Sequence, residues 1–199
     1  MDGALSNRLV ALVRARQTTG TSDIVKKFFS NLSEANMKIL NDVPTEDDWE
    51  WGGEGFRCSD LDKKDAHDKF FGKSIEDMLP YFKELPLSAS EDLWFMPDTP
   101  FRYYVLAFKM LLMSQKNIDE LGCDASDAAS TFLCLLRHKL ENSPQLVLPV
   151  MEELMPVVEH VAANQNLFDA DPEIYGSFPD KLVEIKRLYA DARSASQSN

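Results

Sequence analysis

The chain has few cysteines and no long apolar run. Its 199 residues include three cysteines, Cys58, Cys123 and Cys134, an odd number without the Cys-x-x-Cys spacing of zinc or redox motifs. We therefore expect free thiols in a reducing compartment. Charges interrupt every apolar stretch well short of the ~20 residues that span a bilayer, and Met1 does not open a basic and then apolar leader. These absences predict a cytoplasmic protein without a membrane segment.

Basic residues are also in short supply. The chain carries 21 Lys and Arg against 33 Asp and Glu, which gives a net charge of −12. Such a charge repels nucleic-acid backbones and anionic membrane surfaces, and phosphate binding would require clustered Lys and Arg. We expect no nucleic-acid or membrane partner. The natural electrostatic complement is a protein with a basic surface.

The sequence lacks the short motifs of common active sites. It contains no nucleophile elbow, phosphate-binding glycine loop, His-Glu-x-x-His motif or paired cysteine knuckle. Asp65, His67 and Asp68 form a D-x-H-D group of the kind that ligates metals or transfers protons. Such spacing arises by chance in acidic sequences, and no second cluster accompanies it. We expect no enzyme, cofactor or metal, with a metal-dependent hydrolase built on these three residues as the enzymatic alternative.

What is present is abundant apolar material at helical spacing. Hydrophobic residues make up 44% of the chain, enough for a core without metal or disulfides. The strongest signal starts at Thr99-Pro100, an N-cap followed by proline, and continues to about Lys116. The other predicted helices cover residues 4–17, 22–32, 60–70, 75–84, 126–140, 144–163 and 179–192. The one over 144–163 should kink or restart at Pro149 or Pro156.

These elements predict a mainly α fold, a multi-helix bundle in a single domain over residues 1–193. Residues 1–21 would form an N-terminal helix and linker at its periphery, and residues 194–199 a disordered tail. The apolar run Leu93-Trp94-Phe95-Met96 is compatible with a short extended segment or a buried coil.

The acidic segment from Asp42 to Glu54, which contains two tryptophans, differs most from ordinary surface sequence. It carries no basic residue, and Pro44 and the pair Gly52-Gly53 predict a loop. One interpretation is a solvated loop whose tryptophans enter the core. The other is a docking surface, because Trp is enriched at binding hot spots and carboxylates steer a basic partner. Its candidate partner-binding residues are Asp42, Glu46, Asp47, Asp48, Trp49, Glu50, Trp51 and Glu54.

The start of the strongest helix carries the run Phe101-Arg102-Tyr103-Tyr104. Helical periodicity accounts for Phe101 and Tyr104 as core residues. Arg102 and Tyr103 are either surface residues or hydrogen-bonding partners of neighbouring helix ends.

Two motifs carry a family resemblance. Phe70-Phe71-Gly72-Lys73-Ser74-Ile75 and the later run from Leu93 to Tyr104 resemble a family of small bacterial proteins described only as a domain of unknown function. That family has an F-x-G segment followed by a helix start of the P-x-A-F-R-Y-Y type. The resemblance covers about residues 23–116 and implies a bacterial cytoplasmic helical protein with no established reaction.

By analogy, small acidic proteins of this sort are often immunity proteins that neutralise a toxin. We therefore expect a non-catalytic binding protein, most specifically an immunity-type inhibitor. The alternative is a helical scaffold or adaptor of another bacterial pathway.

Overall fold

Helices form the architecture of the chain wherever it is described. The structure is a computed structural model and describes residues 42–50 and 60–197. The predictions for residues 1–21, for the helix over 22–32 and for Trp51 and Glu54 lie outside this part. A 3₁₀ turn, Glu46–Trp49, is followed by α1 (Asp60–Phe70), α2 (Ile75–Glu84), α3 (Pro86–Phe95), α4 (Asp98–Tyr104), α5 (Ala107–Leu112), α6 (Gln115–Leu121), α7 (Ala125–Asn142), α8 (Pro144–Val147), α9 (Met151–Ala163), α10 (Pro172–Tyr175) and α11 (Phe178–Gln197). The predicted mainly α, multi-helix fold is confirmed.

The turn between α1 and α2 follows local sequence rules. Gly72 adopts φ of 72°, a left-handed conformation that costs glycine little because it has no Cβ. Ser74 then caps α2: its hydroxyl accepts from the Asp77 backbone N–H, and the Asp77 carboxylate accepts from the Ser74 N–H. This reciprocal capping box starts α2 at Ile75, where the sequence predicts the helix to begin.

The extended segment near 93–96 is not formed. Pro86 is the first residue of α3, where its missing N–H costs nothing, and the helix continues through Phe95. Only Met96 is extended, with φ of −72° and ψ of 144°. α3 packs against α1 and α7; of the apolar run, Leu93 and Met96 are buried, whereas Trp94 is on the exposed side.

The helix predicted from Thr99 to Lys116 is three shorter helices. Pro97 precedes α4, and the chain tightens after Tyr104, where the Leu106 N–H reaches the Tyr103 carbonyl at 3.3 Å. Such i→i+3 bonds tighten the backbone between α4 and α5, and α4 packs on α8 whereas α5 packs on α2 and α9. The helix predicted over 126–140 also starts one residue earlier, at Ala125, and the Ser126 hydroxyl donates to the Cys123 carbonyl at 3.2 Å.

Near the C-terminal end, proline positions set the element boundaries. Ser143-Pro144 opens α8, a 3₁₀ turn containing Pro149 follows, and α9 restarts at Met151 with Pro156 inside it. The predicted restart is therefore confirmed. α11 packs on α7 and α9 and is helical to Gln197, so residues 194–197, which the sequence predicted as part of a disordered tail, continue this helix.

The core joins all of these helices into one cluster. Phe70, Phe82, Phe108 and Tyr104 are fully buried, and their rings meet edge-on, with Phe82 and Phe108 centroids 5.2 Å apart. Edge-to-face contacts of this kind add stability beyond burial alone. Among residues 42–50 and 60–197, no helix combines the length and apolarity needed to cross a bilayer.

Candidate functional site

The acidic tryptophan segment divides into a core residue and exposed carboxylates. Trp49 is only 3% exposed, and its ring lies 5.2 Å from His67 and 6.2 Å from Tyr104. Trp49 is therefore a core side chain, and a partner cannot use it as a hot spot without unfolding the turn. The remaining described members of the set are carboxylates: Asp42, Glu46, Asp47 and Glu50 are exposed, and Asp48 is half-buried.

Asp48 has a local structural role. Its carboxylate accepts from the Thr45 backbone N–H at 2.8 Å and from the Thr45 hydroxyl at 2.7 Å. This bonding fixes the start of the 3₁₀ turn. Docking through the four exposed carboxylates stays a prediction.

The D-x-H-D group is dispersed around α1. Asp65 pairs with Lys69 at 2.6 Å, and the His67 ring stacks on Phe71 with centroids 4.9 Å apart. Asp68 touches His67 at 3.5 Å but is held by Lys64, whose hydrogen bond lowers the pKa of the Asp68 carboxyl. Residues two apart on a helix lie ~200° apart around its axis, so Asp65 and His67 face different sides. Within the described ranges, no group of three or more His, Cys, Asp and Glu side chains is placed to hold a metal ion.

The side chains of Arg102, Tyr103 and Tyr104 form hydrogen bonds with the ends of neighbouring helices. The Tyr104 hydroxyl lies 2.7 Å from the Phe70 carbonyl and 2.8 Å from the Lys73 carbonyl, at the end of α1. The Ile75 N–H, at the start of α2, donates to the Tyr103 hydroxyl at 3.3 Å. The Ile75 N–H is a terminal group of α2 without an intrahelical partner, and the Phe70 carbonyl at the end of α1 also accepts from the Lys73 N–H at 3.1 Å. Burial raises the pKa of both tyrosines.

Arg102 likewise forms hydrogen bonds with a neighbouring helix, α8. Its guanidinium donates to the Leu146 carbonyl at 2.8 Å and the Gln145 carbonyl at 3.0 Å, in α8. It also pairs with Asp98 at 3.0 Å. The sequence interpretation in which Arg102 and Tyr103 bond neighbouring helix ends is confirmed.

A cleft over α3 combines apolar and acidic side chains, and sequence reasoning did not identify it. It has a volume of about 590 Å³ and is open to solvent. On one side α1 supplies Asp62, Asp65 and Lys69, along the bottom α3 supplies side chains between Leu87 and Phe95, and α7 supplies Thr131. We call this site the α3 cleft.

The apolar part of the α3 cleft is a stripe along the outward side of α3. Leu87 is 51% exposed and Trp94 is 37% exposed, with Glu91 between them. Residues at i, i+4 and i+7 share one side of a helix, so these three side chains form a continuous strip. Large apolar side chains that face solvent together mark interaction surfaces more often than single exposed ones do.

A buried ion pair forms the acidic floor. Asp92 is 6% exposed, and Lys69 donates to its two carboxylate oxygens at 3.0 and 3.2 Å. The Tyr81 hydroxyl donates to the same carboxylate at 2.7 Å. Because Lys69, Tyr81 and Asp92 belong to α1, α2 and α3, this network joins three helices beneath the cleft.

The pKa shifts follow from this geometry. Burial, together with the hydrogen bond to Asp92, raises the pKa of Tyr81 to about 12. Partial burial alone would lower the pKa of Lys69, but the carboxylates of Asp65 and Asp92 outweigh it and hold the pKa above its ordinary value. Lys69 is thus a fixed cation, and the carboxylates of Asp62 and Glu91 remain exposed at the rim.

A second lysine fixes the end of the cleft near Trp94. The Lys139 ammonium, from α7, donates to the Trp94 carbonyl at 2.8 Å and lies 5.2 Å from the Phe101 ring centroid. The His138 ring packs on the Trp94 indole with centroids 4.1 Å apart. Burial lowers the pKa of Lys139 to about 8. These contacts hold the exposed indole in one orientation.

Comparison with known proteins adds no relative: no protein-family model, no curated protein and no solved structure matches this chain. The resemblance to small bacterial proteins therefore stays a prediction.

Proposed function

We propose that the chain is a non-catalytic protein-binding protein, most specifically an immunity-type inhibitor, that docks a partner with a basic surface. The α3 cleft is the observation that carries this proposal. It joins an exposed apolar strip to a carboxylate rim, the combination that gives a binding surface both contact area and steering of an oppositely charged partner.

The geometry favours binding over catalysis for the residues that suggested an enzyme. Asp65 and His67 face different sides of α1, where they contact Lys69 and Phe71, and Asp68, although 3.5 Å from His67, is held by Lys64. A catalytic acid and base must converge on the same reacting atoms. The hydrolase alternative therefore has no geometric support in this part of the chain.

The proposed function is tested in the organism that encodes the chain. A tagged full-length chain should recover one basic protein in stoichiometric amounts, and the gene for that protein should be toxic when expressed alone and harmless when co-expressed with the chain. A deletion strain should become sensitive to the same protein.

Two results would count against this function. Recovery of no protein partner together with normal toxin sensitivity of the deletion strain would refute it. A stable partner whose activity is the same with and without the chain would instead favour the scaffold or adaptor role, in which the same surface serves assembly.

A further inference from the structure

Resting on the proposed function, we propose that the segment bound in the α3 cleft is an amphipathic helix of the partner, with leucine-type side chains on one side and Lys or Arg beside them. The proposed function alone does not specify the shape or the chemistry of the bound segment.

The shape of the cleft favours a helix. α3 lies between α1 and α7, so its outward face is the bottom of a trough with a helix on each side. It has 10 residues, which at 1.5 Å each gives a length of ~15 Å, or about three turns of a second helix lying along it. A helix in this position would insert its side chains beside Leu87 and Trp94, as helices do in other helix-in-groove complexes.

The charge distribution favours a basic helix. In the described part of the chain, the cleft is lined by Asp62, Asp65, Glu91 and Asp92, and its one lysine, Lys69, already pairs with Asp65 and Asp92. Glu91 thus remains exposed within the strip, between Leu87 and Trp94, and Asp62 remains exposed beside the strip on α1. An exposed carboxylate between Leu87 and Trp94 and a second one on α1 complement a helix that has Lys or Arg beside its apolar face.

One buried polar group at the bottom of the cleft supports the presence of a ligand. Ser90 lines the cleft, is 1% exposed, and its hydroxyl has no hydrogen-bond partner within the described structure. A buried hydroxyl without a partner costs free energy, so native proteins rarely leave one unsatisfied. A donor or acceptor carried by the inserted helix would satisfy it after a small shift of the neighbouring side chains.

The test uses the full-length chain and three synthetic labelled peptides of equal length, measured by fluorescence anisotropy. The first has leucines at helical spacing and lysines on both flanks; the second replaces the lysines by glutamates; the third has the composition of the first in an order that removes the apolar face. The first peptide should bind at least tenfold more tightly than either of the others.

Matched variants then locate the binding. Leu87→Ser and Glu91→Gln should each weaken binding of the first peptide at least fivefold. Val183→Ser, which alters an exposed apolar side chain on α11, and Glu173→Gln, which alters an exposed carboxylate on α10, should change it less than twofold. All four positions are exposed, so thermal unfolding should be nearly unchanged and a loss of binding can be assigned to the surface.

Two binding results would overturn the inference: equal affinity for the first and third peptides, or the same loss of affinity in the cleft variants and the control variants. Self-association of the chain that Leu87→Ser abolishes would also overturn it, because the cleft would then bind a second copy. If the peptide fails to bind but the chain still suppresses the toxicity of its native partner, only this inference falls. If the peptide binds but no toxin partner exists, the immunity function falls and the helix site stands.

Discussion

At the scale of single residues, the cost of burial decides which side chains of the acidic segment are structural. Trp49 is almost wholly buried against His67 and Tyr104, whereas Asp47 two residues earlier is exposed. Replacing a buried Trp removes a large apolar contact area and leaves a cavity.

Trp49→Ala should therefore lower the free energy of unfolding by ~3 to 5 kcal/mol, measured by urea titration. Asp47→Asn should change it by less than ~0.5 kcal/mol, as expected for an exposed position. A Trp49→Ala protein of unchanged stability would show that the indole does not pack as described.

Lys139 makes stability depend on pH in the alkaline range. Its folded pKa is about 8, against 10.5 for an ordinary lysine, because burial disfavours the charged form. Between these values the unfolded chain binds more protons than the folded chain, so the contribution of Lys139 to stability rises with pH.

Across pH 8 to 10, the wild-type free energy of unfolding should rise relative to that of Lys139→Met by about 2 kcal/mol, since one pKa unit corresponds to about 1.4 kcal/mol. The variant keeps the packing volume but has no proton to lose. Comparing the two proteins also removes the contribution of the buried tyrosines, since it is common to both. Their raised pKa values make the free energy of unfolding fall as the pH rises, opposite to the effect of Lys139. Parallel pH profiles would contradict the assignment to Lys139.

At the scale of elements, the sequence predicted boundaries wherever a local rule decides the outcome. The Ser74 capping box, the α1 range and the restart after Pro149 all depend on residues within a few positions of one another. The missed boundaries depend on distant contacts. The break after Tyr104 separates α4, which packs on α8, from α5, which packs on α2 and α9, and a periodicity over one straight helix does not express these separate contacts.

The turn between α1 and α2 gives a direct test of backbone conformation. Gly72 has φ of 72°, and a Cβ placed there would meet no atom within 4 Å. Gly72→Ala should therefore lose ~1 kcal/mol of stability through the left-handed conformation alone, measured by thermal or urea unfolding.

Gly72→Asn provides the control, because asparagine tolerates this conformation better than alanine does. It should lose less stability than Gly72→Ala even though its side chain is larger. The reverse order would indicate a steric rather than a conformational cost.

The α3 cleft could not be predicted from the sequence, because it too depends on contacts between distant residues. Its side chains come from residues 62–69, 87–95 and 131, which only the packing of three helices brings together. A helical prediction for residues 86–95 would have shown Leu87, Glu91 and Trp94 on one side. Pro86 follows the helix predicted over 75–84 and can either end one helix or begin the next, and the apolar run from Leu93 to Met96 predicts a buried or extended segment and not an exposed Trp94.

At the scale of the whole molecule, the net charge of −12 acts on folding and on partner binding in opposite directions. Repulsion among excess carboxylates destabilises the folded chain, whereas attraction to a basic partner strengthens the complex. Salt screens both, over a Debye length of ~10 Å at 0.1 M.

Raising NaCl from 50 to 500 mM should therefore increase the unfolding temperature of the full-length chain and weaken binding of the lysine-flanked peptide at least tenfold. Differential scanning fluorimetry and anisotropy measure the two effects on the same preparation. Binding that is insensitive to salt would mean that the apolar strip, and not the rim carboxylates, dominates recognition.

The packing of Trp94 on His138 also makes the α3 cleft visible to spectroscopy. The indole is partly in water and lies 4.1 Å from an imidazole, whose protonated form quenches tryptophan emission, while Trp49 is shielded in the interior. A ligand that covers Trp94 would shift its emission to shorter wavelength and alter the quenching. In a background with Trp49 and Trp51 replaced by phenylalanine, occupancy could be followed without any label, which suits a search for unknown ligands.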